Sequence, residues 1–132
     1  MKKAPSKVYV IDNGFVQSTA FNLSENLGRL LENQVFVELL RRGYIPGKTL
    51  FYYRTRNDKE IDFVTRTGSK VEQLIQVCYD MSSEKTRKRE LDALVEAAEE
   101  LHCDNLLVIT NSQEEKIEWK NKTLMIITNN KF

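Results

Sequence analysis

The sequence predicts a single α/β domain in which a mixed central sheet is flanked by helices and ends in a C-terminal β-hairpin. Three strand-like segments follow one another between residues 50 and 79, with turn signals between them. Two helical segments surround this group. A short apolar run follows the second helix, which is typical of a strand reached through a helical crossover. The 132 residues suit one domain with a buried core.

The first helix is predicted to begin at Ser24, a good N-cap residue, and to end at about Arg42, with Gly43 just beyond it. Its apolar residues cover more than one side, which is typical of a largely buried helix. Glu32 falls within this apolar surface. Because an unpaired buried charge is costly, Glu32 is expected either to pair with an arginine such as Arg54 or to bind a metal.

The strands before the second helix form two groups. An N-terminal strand is predicted from Lys7 to Asp12, where an Asp-Asn-Gly turn stops it. The central group is a β-meander of LFYYRT at residues 50–55, Glu60–Arg66 and Lys70–Tyr79. A polar turn joins the first two strands, and Gly68 joins the last two.

The second helix is predicted to open at Ser82 and Ser83 and to run to about His102. Its apolar residues form one stripe, and three glutamates on the opposite side predict a solvated surface: Glu96, Glu99 and Glu100. The run NLLVIT at 105–110 is predicted as a buried strand. KIEWK and TLMIIT, on either side of Asn121 and Lys122, are predicted as the terminal hairpin.

Composition excludes several classes of protein. Twenty Lys and Arg against nineteen Asp and Glu give a net charge of +1, so only local clusters of charge could indicate a nucleic-acid partner. No apolar run approaches the ~18 residues of a membrane span, and a cytoplasmic location is expected. Cys78 and Cys103 are expected to be reduced thiols. There is no GxxxxGK[ST] motif, so these residues cannot hydrolyse ATP.

Polar residues on the two later meander strands form the candidate site. Simple alternation places Glu60 and Asp62 on one face of the first of these strands, together with Val64. On the next strand it places Gln76 and Cys78 on one face, together with Leu74 and Asp80. The sequence therefore predicts one acid and two further polar side chains close together on neighbouring strands.

Five segments of the chain, in order, resemble the C-terminal domain of unknown function carried by a large group of prokaryotic AAA+-type ATPases: KVYVIDNG, LGRLLENQVFVELLRRG, LFYYRTRNDKEIDFV, LIQVCYD and TRKRELDAL. That domain is similar to the PD-(D/E)xK restriction-endonuclease-like superfamily. The resemblance extends from about Lys7 to Thr128. It implies a restriction-endonuclease-like fold, with residues 1–132 as one domain cut from, or related to, a larger ATPase.

The resemblance also implies roles for four residues. Glu32 matches the glutamate of the family's first helix and Asp62 its motif aspartate, whereas Gln76 stands in the place of the second acid and Cys78 in the place of the lysine. In active members the acids hold Mg²⁺ and the lysine orients the attacking water. Gln76 offers one neutral oxygen and Cys78 no cation. The remaining metal ligands would be Glu32 and Asp62, with Glu60 as a substitute.

A basic run opens the second helix and is the candidate nucleic-acid surface: Lys85, Arg87, Lys88 and Arg89. Phosphate contacts from such residues give salt-dependent, sequence-independent binding. Because cations oppose the helix dipole at this end, their presence favours an external anionic partner, DNA or an acidic protein surface. Three functions stay open: a non-catalytic module that binds DNA or its own ATPase, a metal-dependent nuclease, and a structural domain whose first helix packs on the ATPase.

Overall fold

The computed structural model describes residues 23–132. The elements in chain order are α1 (Leu23–Arg41), β1 (Leu50–Arg54), β2 (Glu60–Thr67), β3 (Lys70–Val77), α2 (Glu84–Leu101), β4 (Leu106–Thr110), β5 (Glu115–Trp119), β6 (Lys122–Thr128) and a short 3-10 helix (Asn129–Lys131). The predicted α/β class is confirmed. The predicted strand from Lys7 to Asp12 lies outside the described residues.

The six strands form one mixed sheet in the order β1-β2-β3-β4-β6-β5. Strands β1, β2 and β3 pair antiparallel and form the predicted meander. Strand β4 lies parallel to both β3 and β6, and α2 provides the crossover from β3 to β4. Strands β5 and β6 form the predicted C-terminal hairpin, so both ends of the sheet are antiparallel.

Each face of the sheet carries its own hydrophobic cluster. On one face, α2 packs its stripe, including Leu91 and Leu94, against strand residues such as Leu74 and Val108. On the other face, α1 packs Val35 and Leu39 against the strands, including Phe63. Burying one such side chain stabilises the fold by roughly 1.5–3 kcal/mol. These two layers position β2 and β3 between the helices.

The helix ends follow the local sequence. Gly43 adopts a φ of 95° after α1, and its N–H donates to the Leu40 carbonyl at 3.0 Å. Glycine adopts a positive φ at the end of a helix without the steric cost that a Cβ atom would add. Ser83 is the N-cap of α2 and accepts a hydrogen bond from Thr86 N–H at 3.4 Å. His102 ends α2 in the left-handed conformation. No helix within residues 23–132 is long and apolar enough to cross a membrane.

The prediction that three glutamates of α2 form a solvated surface is wrong for two of them. Glu96 and Glu100 bind the turn between β1 and β2 (residues 55–59). The Arg56 amide donates to Glu100 Oε2 at 3.0 Å, and the Asn57 side-chain amide donates to Glu96 Oε1 at 3.1 Å. Tyr53 donates its hydroxyl to Glu100 as well. Burial, followed by this hydrogen bond, raises the pKa of Tyr53 to about 12. Only Glu99 is exposed.

Candidate functional site

The candidate site lies on β2, where a β-bulge interrupts its pairing with β1. Tyr53 of β1 pairs with Ile61 of β2, and Phe51 pairs with Val64. One residue of β1 lies between these two pairs, whereas two residues of β2 do. Strand β2 therefore contains one residue more than its partner in this interval. Such a bulge bends the strand and changes where its side chains point.

The bulge changes which residues of β2 share a face. Ile61 and Val64 both belong to the cluster under α2, although they are three residues apart, whereas Phe63 belongs to the cluster under α1. The prediction that Glu60, Asp62 and Val64 share one face by simple alternation is therefore wrong across the bulge, because alternation with a period of two holds only in a regular strand.

Two side chains connect β2 and β3 beside the bulge. Gln76 Oε1 accepts a hydrogen bond from the Asp62 amide at 2.9 Å, and Gln76 Nε2 donates to the Glu60 carbonyl at 3.0 Å. In return, Asp62 Oδ2 accepts from the Val77 amide at 2.8 Å. We call these three bonds the Asp62–Gln76 clamp. The clamp brings together Asp62 and Gln76, two of the four motif residues that the sequence analysis proposed.

The clamp explains why an amide suits residue 76. Gln76 is only 3% exposed, so its two polar atoms depend on protein partners. It accepts from one backbone group and donates to another at the same time. An ionised carboxylate only accepts hydrogen bonds. A glutamate at this position would therefore leave the Glu60 carbonyl facing a negative charge.

Cys78 comes directly after the last residue of β3 and is a neutral thiol. Leu74 and Cys78 contact the cluster under α2, while Ile75 and Val77 contact the cluster under α1, so the predicted alternation of these residues is confirmed. The Cys78 thiol donates to the Asp80 carbonyl at 3.3 Å. Burial, reinforced by nearby carboxylate charge, raises the pKa of Cys78 to about 11. The thiol supplies neither the fixed cation of a lysine nor a thiolate ligand at neutral pH.

We expect Cys78 to react slowly with iodoacetamide at neutral pH, because only the thiolate is an efficient nucleophile. The labelling rate should keep rising up to about pH 11 rather than level off near the pKa of an ordinary thiol. Mass spectrometry of the labelled protein across this pH range measures the rate, and Cys78→Ser isolates the contribution of buried Cys103. A labelling midpoint near pH ~8.5, the value of a free cysteine, would contradict the expectation.

The other proposed ligands occupy different settings. Glu32 is half-buried on α1, and Glu60 is exposed and pairs with Arg54 at 3.1 Å. Arg54 also pairs with Asp58 at 2.6 Å. The pairing of Glu32 with an arginine stays a prediction. Within residues 23–132, no group of three or more His, Cys, Asp and Glu side chains is arranged to hold a metal ion. The roles of Glu32 and Asp62 as metal ligands stay predictions.

The basic run lies on the first turns of α2, where acids lie within ion-pair distance of most of its members. Three of its four members form ion pairs: Arg87 with Glu115, Lys88 with Asp92, and Arg89 with Glu90. Lys85 is exposed and forms no ion pair with the part of the chain that the structure describes. The nucleic-acid role of this run stays a prediction.

A line of acids on α2, which was not predicted from the sequence, joins the helix to both ends of the sheet. Asp92 accepts hydrogen bonds from Lys88 and from Trp119 Nε1, the latter at 2.8 Å. Burial opposes ionisation of Asp92, but these bonds and Lys120 hold its pKa well below the usual range. Glu96 and Glu100 continue the line at intervals of four. Like charges four residues apart destabilise an isolated helix. Their repetition in the sequence is therefore the signal that could have indicated partners elsewhere in the fold.

Together, the mixed sheet, the two α-helices and the clamp define an α/β domain. Residues 27–129 match the family described as Domain of unknown function (DUF4143), and the chain belongs to this family. The resemblance to a domain of unknown function is thereby confirmed. The further likeness to the PD-(D/E)xK superfamily stays a prediction.

Two curated relatives are longer than this chain. Uncharacterized protein MJ1544 of Methanocaldococcus jannaschii is 42% identical over 125 residues, which cover 92% of this chain and 27% of the relative. An uncharacterized protein of Haemophilus influenzae is 35% identical over 81 residues, which cover 60% of this chain and 18% of that protein. The chain thus spans about a quarter or less of the length of these relatives.

The comparison with solved structures includes a remote likeness. The similar structure is the refined half-complex from a tetradecameric assembly of Thermococcus gammatolerans McrB AAA+ hexamers with bound McrC. The match has a TM-score of 0.48 and 12% sequence identity, and covers 77% of this chain and 27% of that chain. This likeness is too remote to transfer a fold or a function.

Proposed function

We propose that this domain is a non-catalytic interaction module with a restriction-endonuclease-like architecture, carried by a larger cytoplasmic ATPase. The Asp62–Gln76 clamp is the observation that supports it most directly, because the residue in the place of the second acid is used to join two strands. The resemblance of five segments to ATPase-borne domains supports the ATPase context. The greater length of the relatives is consistent with a further domain.

The atoms of the clamp argue against a working Mg²⁺ site. Mg²⁺ prefers several anionic oxygens and nearly ideal octahedral geometry. One oxygen of Asp62 accepts from the Val77 amide, and the only side-chain oxygen of Gln76 accepts from the Asp62 amide. Cys78 carries no positive charge in place of the lysine. A metal at this position would have to compete with three hydrogen bonds between strands.

Calorimetric titration tests the non-catalytic assignment. We expect no heat of binding when Mg²⁺ or Mn²⁺ is added to millimolar concentration, and no difference for Asp62→Asn, whose amide oxygen can still accept from Val77. Asp58→Asn, in the β1–β2 turn, is the matched control. Binding that disappears in Asp62→Asn but persists in the control would contradict the proposal and favour the metal-dependent nuclease.

The partner of the module is more consistent with protein than with DNA. Ion pairs occupy three of the four cations that the sequence analysis assigned to phosphate contacts. The DNA alternative makes a clear prediction of its own. A DNA mobility shift at low salt that disappears on charge reversal of Lys85, Arg87 and Arg89 would favour DNA as the partner. If the unsubstituted protein gives no mobility shift with DNA at low salt, a protein partner is favoured.

A further inference from the structure

Two loops meet at one corner of the sheet, where α1 leads into β1 and β2 turns into β3. The Arg66 amide donates to the Thr49 carbonyl at 2.9 Å, which joins the two loops. Lys70 pairs with Thr67 across the turn between β2 and β3. These bonds bring the backbones of three residues with exposed cationic side chains to one corner: Lys48, Arg66 and Lys70. We call these three residues the basic corner.

The basic corner differs from the basic run of α2 in its lack of neighbouring acids at ion-pair distance among the residues that the structure describes. Within residues 23–132 none of its three members forms an ion pair, whereas arginines and lysines on α1, α2, β1 and β6 pair with acids. Arg66 lies over the Phe51 ring at 5.2 Å, which orients the guanidinium without neutralising it. The neighbouring acid, Glu72 on β3, accepts a hydrogen bond from the Tyr44 hydroxyl at 2.7 Å. The corner therefore has an excess of positive charge.

An apolar side chain stands beside these cations on a tightly bonded loop. Ile45 is 51% exposed and is followed by exposed Pro46. The Ile45 carbonyl accepts from the amides of Lys48 and Thr49 at 2.9 and 2.8 Å, and the Ile45 amide donates to Thr49 Oγ1 at 2.7 Å. A loop already held in one conformation loses little entropy when it binds a partner.

We propose that the basic corner and Ile45 form a docking surface for an acidic protein segment that carries an apolar side chain next to its carboxylates. The inference rests on the proposed role as an interaction module and names the chemistry of the partner. Protein interfaces combine an apolar centre with a polar rim. Phosphate contacts with nucleic acid would use the three cations but would leave Ile45 and Pro46 without a complementary surface.

A displayed random-peptide library, selected on the full chain, tests the docking surface. We expect the selected peptides to combine acidic residues with an apolar residue. Their affinity should fall about tenfold or more in Lys48→Gln/Arg66→Gln/Lys70→Gln and several-fold in Ile45→Ser. The matched control is Arg56→Gln/Lys85→Gln/Lys116→Gln, which removes three charges from other exposed cations. This control should bind the peptides like the original chain.

Three results would overturn the docking surface. One is a selection without acidic and apolar residues, and another is an equal loss of affinity in both triple variants. The third is binding of a DNA duplex of about 20 base pairs at low salt, with an affinity that falls in the Lys48/Arg66/Lys70 variant and is unchanged in Ile45→Ser. If circular dichroism shows that the triple variant does not fold, Lys48→Gln/Lys70→Gln replaces it and keeps the Arg66 contact with Phe51. The metal titration tests the non-catalytic assignment separately.

Discussion

Gln76→Ala is expected to lower the free energy of unfolding by roughly 2–4 kcal/mol, the largest loss expected from any single polar substitution in the candidate site. The substitution removes both hydrogen bonds of a side chain that is 3% exposed. It leaves the Asp62 amide and the Glu60 carbonyl without these partners at a bulge, where the regular ladder is interrupted. Urea denaturation monitored by circular dichroism measures the change.

Gln73→Ala is the matched control for Gln76→Ala. It removes the same kind of side chain from the same strand, but from a half-buried position whose amide donates to Asn105 Oδ1 at 3.3 Å. A loss below roughly 1 kcal/mol is expected there. Equal losses in the two variants would mean that the clamp adds nothing beyond an ordinary glutamine of the sheet.

Gln76→Glu separates hydrogen bonding from volume at the same position. The new carboxyl keeps an acceptor for the Asp62 amide, but it can donate to the Glu60 carbonyl only when protonated. Its pKa in the folded state should therefore lie above the unfolded value of about 4.3. With a raised pKa, the variant should be most stable below that value and lose stability as pH rises through the folded pKa. A stability that instead increases over this interval would contradict the bonding pattern of the clamp.

Most of the framework was predictable from sequence because it depends on local periodicity. The apolar stripe of α2, the Gly43 helix end and the β-meander all follow from the spacing of apolar and turn residues. The alternation of Ile75 and Val77 against Leu74 and Cys78 was predictable for the same reason. In each case a short window of sequence contains the whole physical cause.

The site was less predictable because its bonds join distant parts of the chain. Nothing in the letters EIDFV indicates an extra residue, since each of these residues also fits a regular strand. The resemblance predicted that Asp62 and Gln76 lie near each other. It did not predict that the Gln76 side chain bridges two backbone groups. A helical wheel likewise assigned Glu96 and Glu100 to one side of α2 without showing that the β1–β2 turn lies there.

Removal of both turn-binding carboxylates, in Glu96→Ala/Glu100→Ala, is expected to destabilise the fold by roughly 2–4 kcal/mol, because hydrogen bonds to charged acceptors exceed neutral ones in strength. The turn amides of Arg56 and Asn57 lose their acceptors. Hydrogen exchange at these two amides should accelerate more than exchange in β4. Glu99→Ala removes the exposed neighbour of the same residue type, whose ion pair is with Lys122 and not with the turn. It should cost less than about 1 kcal/mol and leave exchange at the two turn amides unchanged.

The pH dependence of stability in the single variant Glu96→Ala distinguishes an ionic cause from simple loss of packing. The hydrogen bond with Thr55 is the largest cause that lowers the pKa of Glu96; burial opposes it, and Asn57 and Lys59 assist it. A carboxyl whose folded pKa lies below its unfolded value stabilises the fold above the unfolded value, and this stabilisation is lost as pH falls through the folded pKa. The difference between the original chain and Glu96→Ala should therefore shrink below about pH 4. A constant difference would assign the loss to packing.

The turn at residues 55–59 leads directly into Glu60, the first residue of β2 and the residue whose carbonyl Gln76 binds. Glu96 and Glu100 therefore fix the start of the strand that the clamp holds two residues later. If the turn is released, the clamp should weaken as well, because its backbone partners are no longer positioned. Gln76→Ala combined with Glu96→Ala/Glu100→Ala should then cost less than the sum of the separate losses. Strict additivity would show that the turn and the clamp act independently.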